Sequence, residues 1–156
     1  MINQLKELLQ MQKELDERIL QGKLYPAEQM KIALFVELGE MMQELPSYFK
    51  HWKKNAVDNR EKALEEYVDA LHIQLSLFSF YRLERYVEIC NYEYTDDDEL
   101  QDFSICLQSA AINYDNAMGL MDLFCLGRKL GFTWEEVYRT YKAKNKINHE
   151  RQDNGY

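Results

Sequence analysis

The stretch ALFVELGEMM, residues 33–42, combines helical apolar spacing with two carboxylates one turn apart. Glu37 and Glu40 stand at i and i+3, so their side chains share one face of a helix. Three of the four helical neighbours of Glu37 are apolar, namely Ala33, Leu34 and Met41. The stretch therefore predicts a helix that directs a carboxylate toward the interior of the protein.

A second stretch, LEEYVDALH at residues 64–72, repeats this spacing with Glu66 and Asp69. Spacing alone is not specific, because pairs such as Glu14 and Glu17 show it too. Context is more informative, since buried unpaired carboxylates are costly and two such pairs facing each other would repel. A divalent cation removes that cost, and oxygen-only ligands favour Mg²⁺, with Mn²⁺ as a substitute. The open alternative is a ring of acids at the rim, paired with Lys or Arg.

The residues around these two stretches predict helices joined by short connections, because the chain has only 6 Gly and 2 Pro. No segment shows the alternation of a β-strand flanked by hairpin turns. We therefore predict one all-α domain over residues 1–156, a bundle of about six helices.

The boundaries of these helices follow from capping signals. The first helix is predicted from Ile2 to Gln21 with Gly22 as its cap, and the second from Pro26 to Pro46. A loop rich in Lys and aromatic residues then leads to the third helix, from Asp58 or Asn59 past Phe80. The fourth is predicted from TDDDEL at Thr95 to Asn113, the fifth from Asp115 or Asn116 to Gly131, and the sixth from a capping box of Thr133 and Glu136.

Composition restricts the classes of function. The formal net charge of −8 argues against direct binding of nucleic acid, whose phosphates require a basic footprint. No apolar run is long enough to span a membrane, and the N-terminus lacks the pattern of a signal peptide. Three widely spaced cysteines, Cys90, Cys106 and Cys125, indicate free thiols in a reducing cytoplasm.

The last helix carries a basic face. Lys144, Asn148 and Arg151 fall at i, i+4 and i+7, which places two cations and a neutral donor side by side. Pairing of the cations with the helix dipole explains the same pattern without any ligand. Beside a carboxylate metal site, however, the pattern is typical of a phosphate clamp, to which Lys53 of the second loop can add a third charge.

The combination of Glu37-x-x-Glu40 with Glu66-x-x-Asp69 resembles the metal motif of the all-α NTP pyrophosphatase superfamily, which includes dimeric dUTPases and MazG-like enzymes. Three further features resemble the dimeric dUTPase branch: the loop FKHWKK, the segment EEYVDALH with its histidine, and the terminal pattern KNKINHERQDNGY. The resemblance covers residues 8–156.

This resemblance implies specific roles for residues of the chain. The four carboxylates would hold Mg²⁺ against the triphosphate, and the basic face of the last helix would hold phosphates. Trp52 would pack on uracil, and Gln12, Asp16 and His72 would complete the base site. Two positions depart from the family pattern: Asp16 stands in place of an Asn, and Ile73 in place of a second aromatic residue.

The activity that the resemblance implies is hydrolysis of dUTP, with dUDP as a second substrate, to dUMP by a homodimer of bacterial or phage origin. A metal-activated water would attack the α-phosphorus, and Glu37 or Glu40 would accept its proton. Two alternatives remain at this point: a dCTP-directed or broader MazG-like pyrophosphatase, and a non-catalytic helical protein that docks partners through the Tyr-rich segment 81–94.

Overall fold

The computed structural model describes residues 1–90, 92 and 101–155. Within these residues the chain is helical, which confirms the prediction of an all-α fold. The helices are α1 (Ile2–Leu20), α2 (Ala27–Gln43), α3 (Arg60–Phe80), α4 (Phe103–Ile112), α5 (Ala117–Lys129) and α6 (Trp134–Asp153), with 3-10 segments at Pro46–Tyr48 and Glu84–Ile89. Among the described helices, none has the length and apolar character that crossing a bilayer requires.

Several helices begin where their capping residues predict. The Asn59 side chain accepts a hydrogen bond from the Lys62 amide at the start of α3, and Asn116 caps α5 in the same way. Thr133 and Glu136 form the predicted reciprocal capping box of α6. These three boundaries are set by local hydrogen bonds and are therefore visible in the sequence.

The second helix ends earlier than predicted, at Gln43 instead of Pro46. Leu45 lies outside the helical region with φ −120° and ψ 54°, because a residue before proline is disfavoured in the α conformation. Pro46 opens a separate 3-10 turn. The loop to α3 is thus longer on its N-terminal side than the sequence suggested.

Two other predicted boundaries are also corrected. The fourth helix was predicted from Thr95, which lies outside the described residues. Asp102, at the N-cap position of α4, is extended and makes no capping hydrogen bond with its side chain, so the helix that reaches Ile112 begins only at Phe103. At the end of α1 the left-handed C-cap is Gln21, with φ 48°, and Gly22 follows with φ 79°.

Helix α3 lies at the centre of the bundle and packs against α1, α2, α5 and α6. Its buried side chains face several directions, and they include Tyr67, Leu71, Leu75 and Phe78. Because α3 contacts four helices, the residues on its half-buried face are held in fixed positions relative to α1, α2 and α6. That face carries the polar residues of the candidate site.

Tyr92 belongs to the core and not to a docking surface. It is 4% exposed, and its ring packs against Phe124 and Trp134 with centroid distances of 5.2 and 5.4 Å. Its hydroxyl donates to the Phe132 carbonyl at 3.1 Å. This placement contradicts the docking role considered for segment 81–94 as far as Tyr92 is concerned, whereas Tyr94 lies outside the described residues.

We expect the substitution Gly127→Ala to destabilise the protein by about 1–3 kcal/mol, the usual cost of overpacking a core. A Cβ atom at Gly127 would lie 2.4 Å from the Tyr92 hydroxyl and 2.6 Å from the Tyr67 hydroxyl. Urea unfolding measures the change, and Ser104→Ala at an exposed position of α4 is the control, expected within about 0.5 kcal/mol. Equal stability of Gly127→Ala and the parent protein would contradict the tight packing of α5 on α3.

Candidate active site

Three carboxylates from two helices converge at one end of the site. Glu37 and Glu40 lie on α2 and Glu66 lies on α3, and one carboxylate oxygen from each is within 4.8 Å of the others. Glu40 is exposed, while Glu37 and Glu66 are half-buried. The group is therefore close enough to share one cation and open enough for a solvent-borne ligand to reach it.

The electrostatics of this group favour a positive ligand. Burial, together with the nearby charges of Asp69, Glu40 and Glu66, raises the pKa of Glu37 to about 7. Lys62, one turn before Glu66 on α3, has its Nζ 3.2 Å from the Glu66 carboxylate. Oxygen ligands that repel one another at this distance fit a hard divalent ion, which removes the repulsion and keeps all three ionised.

Asp69 is arranged differently from the other three acids. Its Oδ2 accepts a hydrogen bond from Lys144 Nζ at 2.5 Å, and it is not part of the group within 4.8 Å. The pKa of Asp69 is raised, because the effect of burial is larger than the opposing effect of the hydrogen bond from Lys144. Glu66 and Asp69 on α3 are thus each paired with a lysine, as the alternative of a charge-balanced rim expected. Glu37 and Glu40, in contrast, form no ion pair with a cation of the described residues.

The basic face of α6 lies beside Asp69. Lys144 contacts Asp69 directly, and the charge of Arg151 also lowers the pKa of Asp69. Arg151 donates to the Asn148 side-chain oxygen at 3.3 Å, so these two residues share one face. Lys53 lies exposed on the loop between α2 and α3.

A pocket of about 160 Å³ lies next to this charged region. It is enclosed by α1, the start of α2, α3 and α6, and its lining is mostly apolar. Ile73 in its wall lies one helical turn from Asp69, and Met30 lies two turns from Glu37. A ligand that fills the pocket therefore has its next atoms close to the carboxylates.

The polar residues predicted for a base site meet at this pocket. Gln12, Asp16 and His72 all line it, together with Asn148. Gln12 Nε2 donates to Asp16 Oδ1 at 2.8 Å, and Gln12 Oε1 lies 2.7 Å from His72 Nδ1. Two residues one turn apart on α1 are thus joined with a residue of α3, sixty positions along the chain, in one hydrogen-bonded group.

His72 is held as a neutral imidazole. Its ring stacks on Tyr141 with a centroid distance of 3.7 Å, and burial lowers its pKa to about 3. Its Nε2 atom is buried without a hydrogen-bond partner in the part of the chain that the structure describes. The imidazole therefore offers an unused acceptor and no positive charge.

Trp52 is not among the residues that line this pocket. It is 67% exposed on the loop between α2 and α3, and its ring makes an edge contact with His51 at 5.0 Å. A role for Trp52 at the base stays a prediction.

Sequence reasoning missed three polar side chains of this region: Tyr25, Ser76 and Tyr141. Tyr141 donates to Gln12 Oε1 at 2.7 Å, and Ser76 donates to Asp16 Oδ2 at 2.6 Å. Helical spacing could have indicated two of them. Ser76 follows His72 by four residues and Tyr141 precedes Lys144 by three, so each shares a helix face with a predicted site residue. Nothing in the sequence indicates Tyr25.

Comparison with known families gives one match over nearly the whole chain. The family model described as dUTPase matches residues 4–156. The comparison with curated proteins gave no match. The matched range contains every carboxylate of the converging group and every polar residue of the pocket.

We expect Glu40→Gln and Glu37→Gln each to weaken the binding of Mn²⁺, which serves as a paramagnetic probe, by at least about tenfold. Loss of a residue that merely hydrogen-bonds to a metal ligand already lowers metal affinity by about this factor. Each change removes one anionic ligand from the group. Electron paramagnetic resonance of free Mn²⁺ measures the affinity.

Glu17→Gln is the matched control for this measurement. Glu17 is exposed on α1 and has the same i, i+3 relation to Glu14, but the converging group does not contain it. Equal loss of affinity in the control and the two site variants would show that the converging carboxylates hold no cation.

Proposed function

Because the chain belongs to the all-α dUTPase family and is a dUTP diphosphatase, we propose that Glu37, Glu40, Glu66 and Asp69 hold Mg²⁺ against the triphosphate of dUTP. The convergence of three carboxylates within 4.8 Å is the observation that carries this proposal. Mn²⁺ has the same ligand preference and is the expected substitute. When bound, the cation neutralises phosphate charge and lowers the pKa of the attacking water.

Glu37 is the proposed general base. Water attacks the α-phosphorus in line, pyrophosphate leaves, and the carboxylate accepts the proton of the water, so that dUTP and water give dUMP and pyrophosphate without a covalent intermediate. Support comes from the position of Glu37 between the other acids, half-buried and with its pKa raised to about 7. Glu40 lies in the same group and is the alternative base.

Phosphate binding is assigned to the basic face of α6. Lys144 and Arg151 supply charge, and Asn148 supplies a neutral donor between them. Support comes from the contact of Lys144 with Asp69, which places an ammonium group beside the carboxylates. Lys53 is the proposed additional cation, delivered by the loop between α2 and α3.

The pocket between α1, α3 and α6 is the proposed base site. Gln12, Asp16 and His72 supply its polar atoms, and Trp52 is the proposed aromatic cover contributed by the loop. The distance along α2 and α3 from the pocket wall to the carboxylates is one to two helical turns, about 6–10 Å, which suits the sugar and α-phosphate of a nucleotide.

We expect Glu37→Gln and Glu40→Gln each to lower kcat for dUTP by about a hundredfold or more, as loss of a general base or a metal ligand does. Helix content measured by circular dichroism should stay unchanged, and Glu17→Gln is again the control. Near-normal turnover in both site variants would contradict this mechanism.

The same assay with other nucleotides separates the dUTPase from its close relatives. A panel of dUTP, dUDP, dCTP, dTTP and UTP, each with and without Mg²⁺, should give metal-dependent cleavage of dUTP and dUDP. Preferential cleavage of dCTP, or equal cleavage of all five nucleotides, would favour the dCTP-directed or MazG-like activity instead.

We also propose that the protein is a homodimer in which α2 and α4 face a second copy. A groove between these helices is almost entirely apolar, and it is lined by Phe35, Leu38, Gly39, Met42, Leu107, Gln108 and Ala111. Ile32 and Ile112 beside it are 63% and 58% exposed. An uncharged surface of this kind suits an isologous contact, in which the same patch of both subunits is buried.

Phe35→Glu should convert the dimer to a monomer, because it places a charge in the groove. Light scattering coupled to size-exclusion chromatography measures the mass. Leu24→Glu is the control, since Leu24 is 94% exposed in the connection before α2. A parent protein that is monomeric at micromolar concentration would overturn the proposed assembly.

A reducing cytoplasm, of a bacterium or of a phage-infected bacterial host, is the proposed compartment. All three cysteines are buried, and none of them forms a disulfide. The Cys106 thiol donates a hydrogen bond to Cys125 Sγ at 3.1 Å, a contact between two thiols that suits a reducing environment.

A further inference from the structure

Asp16 is the final acceptor of two series of hydrogen bonds in the polar group at the pocket. One oxygen of its carboxylate accepts from Gln12 Nε2 at 2.8 Å, and the other accepts from the Ser76 hydroxyl at 2.6 Å. Asp16 lies at the wall of the pocket, where it is largely shielded from solvent. A carboxylate has about four acceptor positions, so two remain for a ligand.

The direction of these bonds follows from the carboxylate. Ser76 gives its only proton to Asp16, so the Tyr25 hydroxyl, 2.7 Å from Ser76 Oγ, must donate to Ser76. On the other side, Gln12 directs its amide N–H to Asp16 and its carbonyl oxygen to Tyr141, which donates to it. Two donor chains therefore converge on one acceptor.

Packing and burial hold in place the two residues, Tyr25 and Ser76, of the hydrogen-bond series that begins at Tyr25. The Tyr25 ring stacks on Phe80, with a centroid distance of 4.4 Å and an interplanar angle of 15°. Ser76 is 1% exposed on α3, one helical turn before Phe80. The Ser76 hydroxyl thus accepts a hydrogen bond from Tyr25 and donates one to Asp16.

We propose that Ser76, supported by Tyr25, is a positioning residue for base recognition, which holds the Asp16 carboxylate so that its remaining lone pairs accept a ring N–H of the pyrimidine. This inference rests on the proposed function, which places the base in this pocket. In a uracil nucleotide the sugar occupies N1, so N3–H is the only ring N–H. The Asp16 carboxylate, which only accepts hydrogen bonds, matches the N3–H donor, because it carries no proton that would point at that donor.

Loss of the Ser76 hydroxyl should change recognition in a defined way. Without its donor, one oxygen of Asp16 is left without an internal partner, and the carboxylate is free to rotate or to take up a proton. A rotated or protonated carboxyl group no longer accepts from N3–H. The effect should therefore fall on binding of the base, while the carboxylates that carry the chemistry are untouched.

The test compares Ser76→Ala and Tyr25→Phe with the parent protein on dUTP and on N3-methyl-dUTP, which lacks the N3–H donor. Ser76→Ala should raise KM for dUTP by about tenfold, the cost of one hydrogen bond to a charged group, and leave kcat within about twofold. It should leave KM for N3-methyl-dUTP unchanged, so that the discrimination between the two nucleotides collapses. Tyr25→Phe should act in the same direction by about threefold, because Ser76 can still donate to Asp16.

Ser79→Ala is the matched control, since Ser79 lies on the same helix and lines a different pocket. It should change neither KM nor kcat. Equal rises in KM for both nucleotides in Ser76→Ala, or a fall in kcat alone, would identify a merely structural role and overturn the inference. Unchanged discrimination in both Ser76→Ala and Tyr25→Phe would overturn it as well.

A second measurement separates this inference from the proposed function. Deoxyuridine carries no phosphate and needs no cation, and its binding to the metal-free protein is followed by nuclear magnetic resonance. Weaker binding to Ser76→Ala than to the parent protein supports the inference even where dUTP is not hydrolysed. If the parent protein hydrolyses dUTP, and deoxyuridine binds equally to the parent protein and to Ser76→Ala, the inference is wrong and the proposed function is unaffected.

Discussion

Repulsion between the carboxylates of Glu37, Glu40 and Glu66 is the constraint on which the rest of the structure depends. Packing of α2 against α3 brings these groups within 4.8 Å of one another. Like charges at this distance oppose folding unless the groups are protonated or a cation binds. The apolar residues buried between the helices, such as Leu34, Leu38 and Leu71, must offset that cost before any ligand arrives.

Helix α1 contributes residues to both the core and the pocket. Leu5, Leu8 and Leu15 are buried on one side of the helix. Gln12 and Asp16 lie at the edge of that apolar stripe and reach the pocket. Because core and pocket share one helix, the packing of Leu5 and Leu8, which do not line the pocket, helps to position the polar atoms that do.

Local rules account for what the sequence predicted. Helix starts at Asn59, Asn116 and Thr133 depend on hydrogen bonds within three residues, and the pairing of carboxylates depends on one helical turn. The sequence therefore supplied the bundle, the acidic pairs and the basic face of α6. It also placed Gln12, Asp16 and His72 in one site, although for that grouping the resemblance to a known family was needed.

Long-range contacts account for what the sequence did not predict. Ser76 meets Asp16 across sixty positions of the chain, and Tyr25 meets Ser76 across fifty-one, so no periodic pattern reveals either bond. Asp69 was grouped with the other acids, yet it is bonded to Lys144, seventy-five positions away. Tyr92 could not be assigned to the core, because its neighbours Phe124 and Trp134 come from later helices.

The stacked pair of His72 and Tyr141 has a consequence for how the kinetics of this enzyme should be interpreted. An imidazole is the usual origin of an ionisation seen near neutral pH. Here the ring is buried and stacked on Tyr141, and burial lowers its pKa to about 3. An inflection of the rate between pH 6 and 8 therefore does not come from the ionisation of this ring, and a histidine-directed reagent should find the ring out of reach.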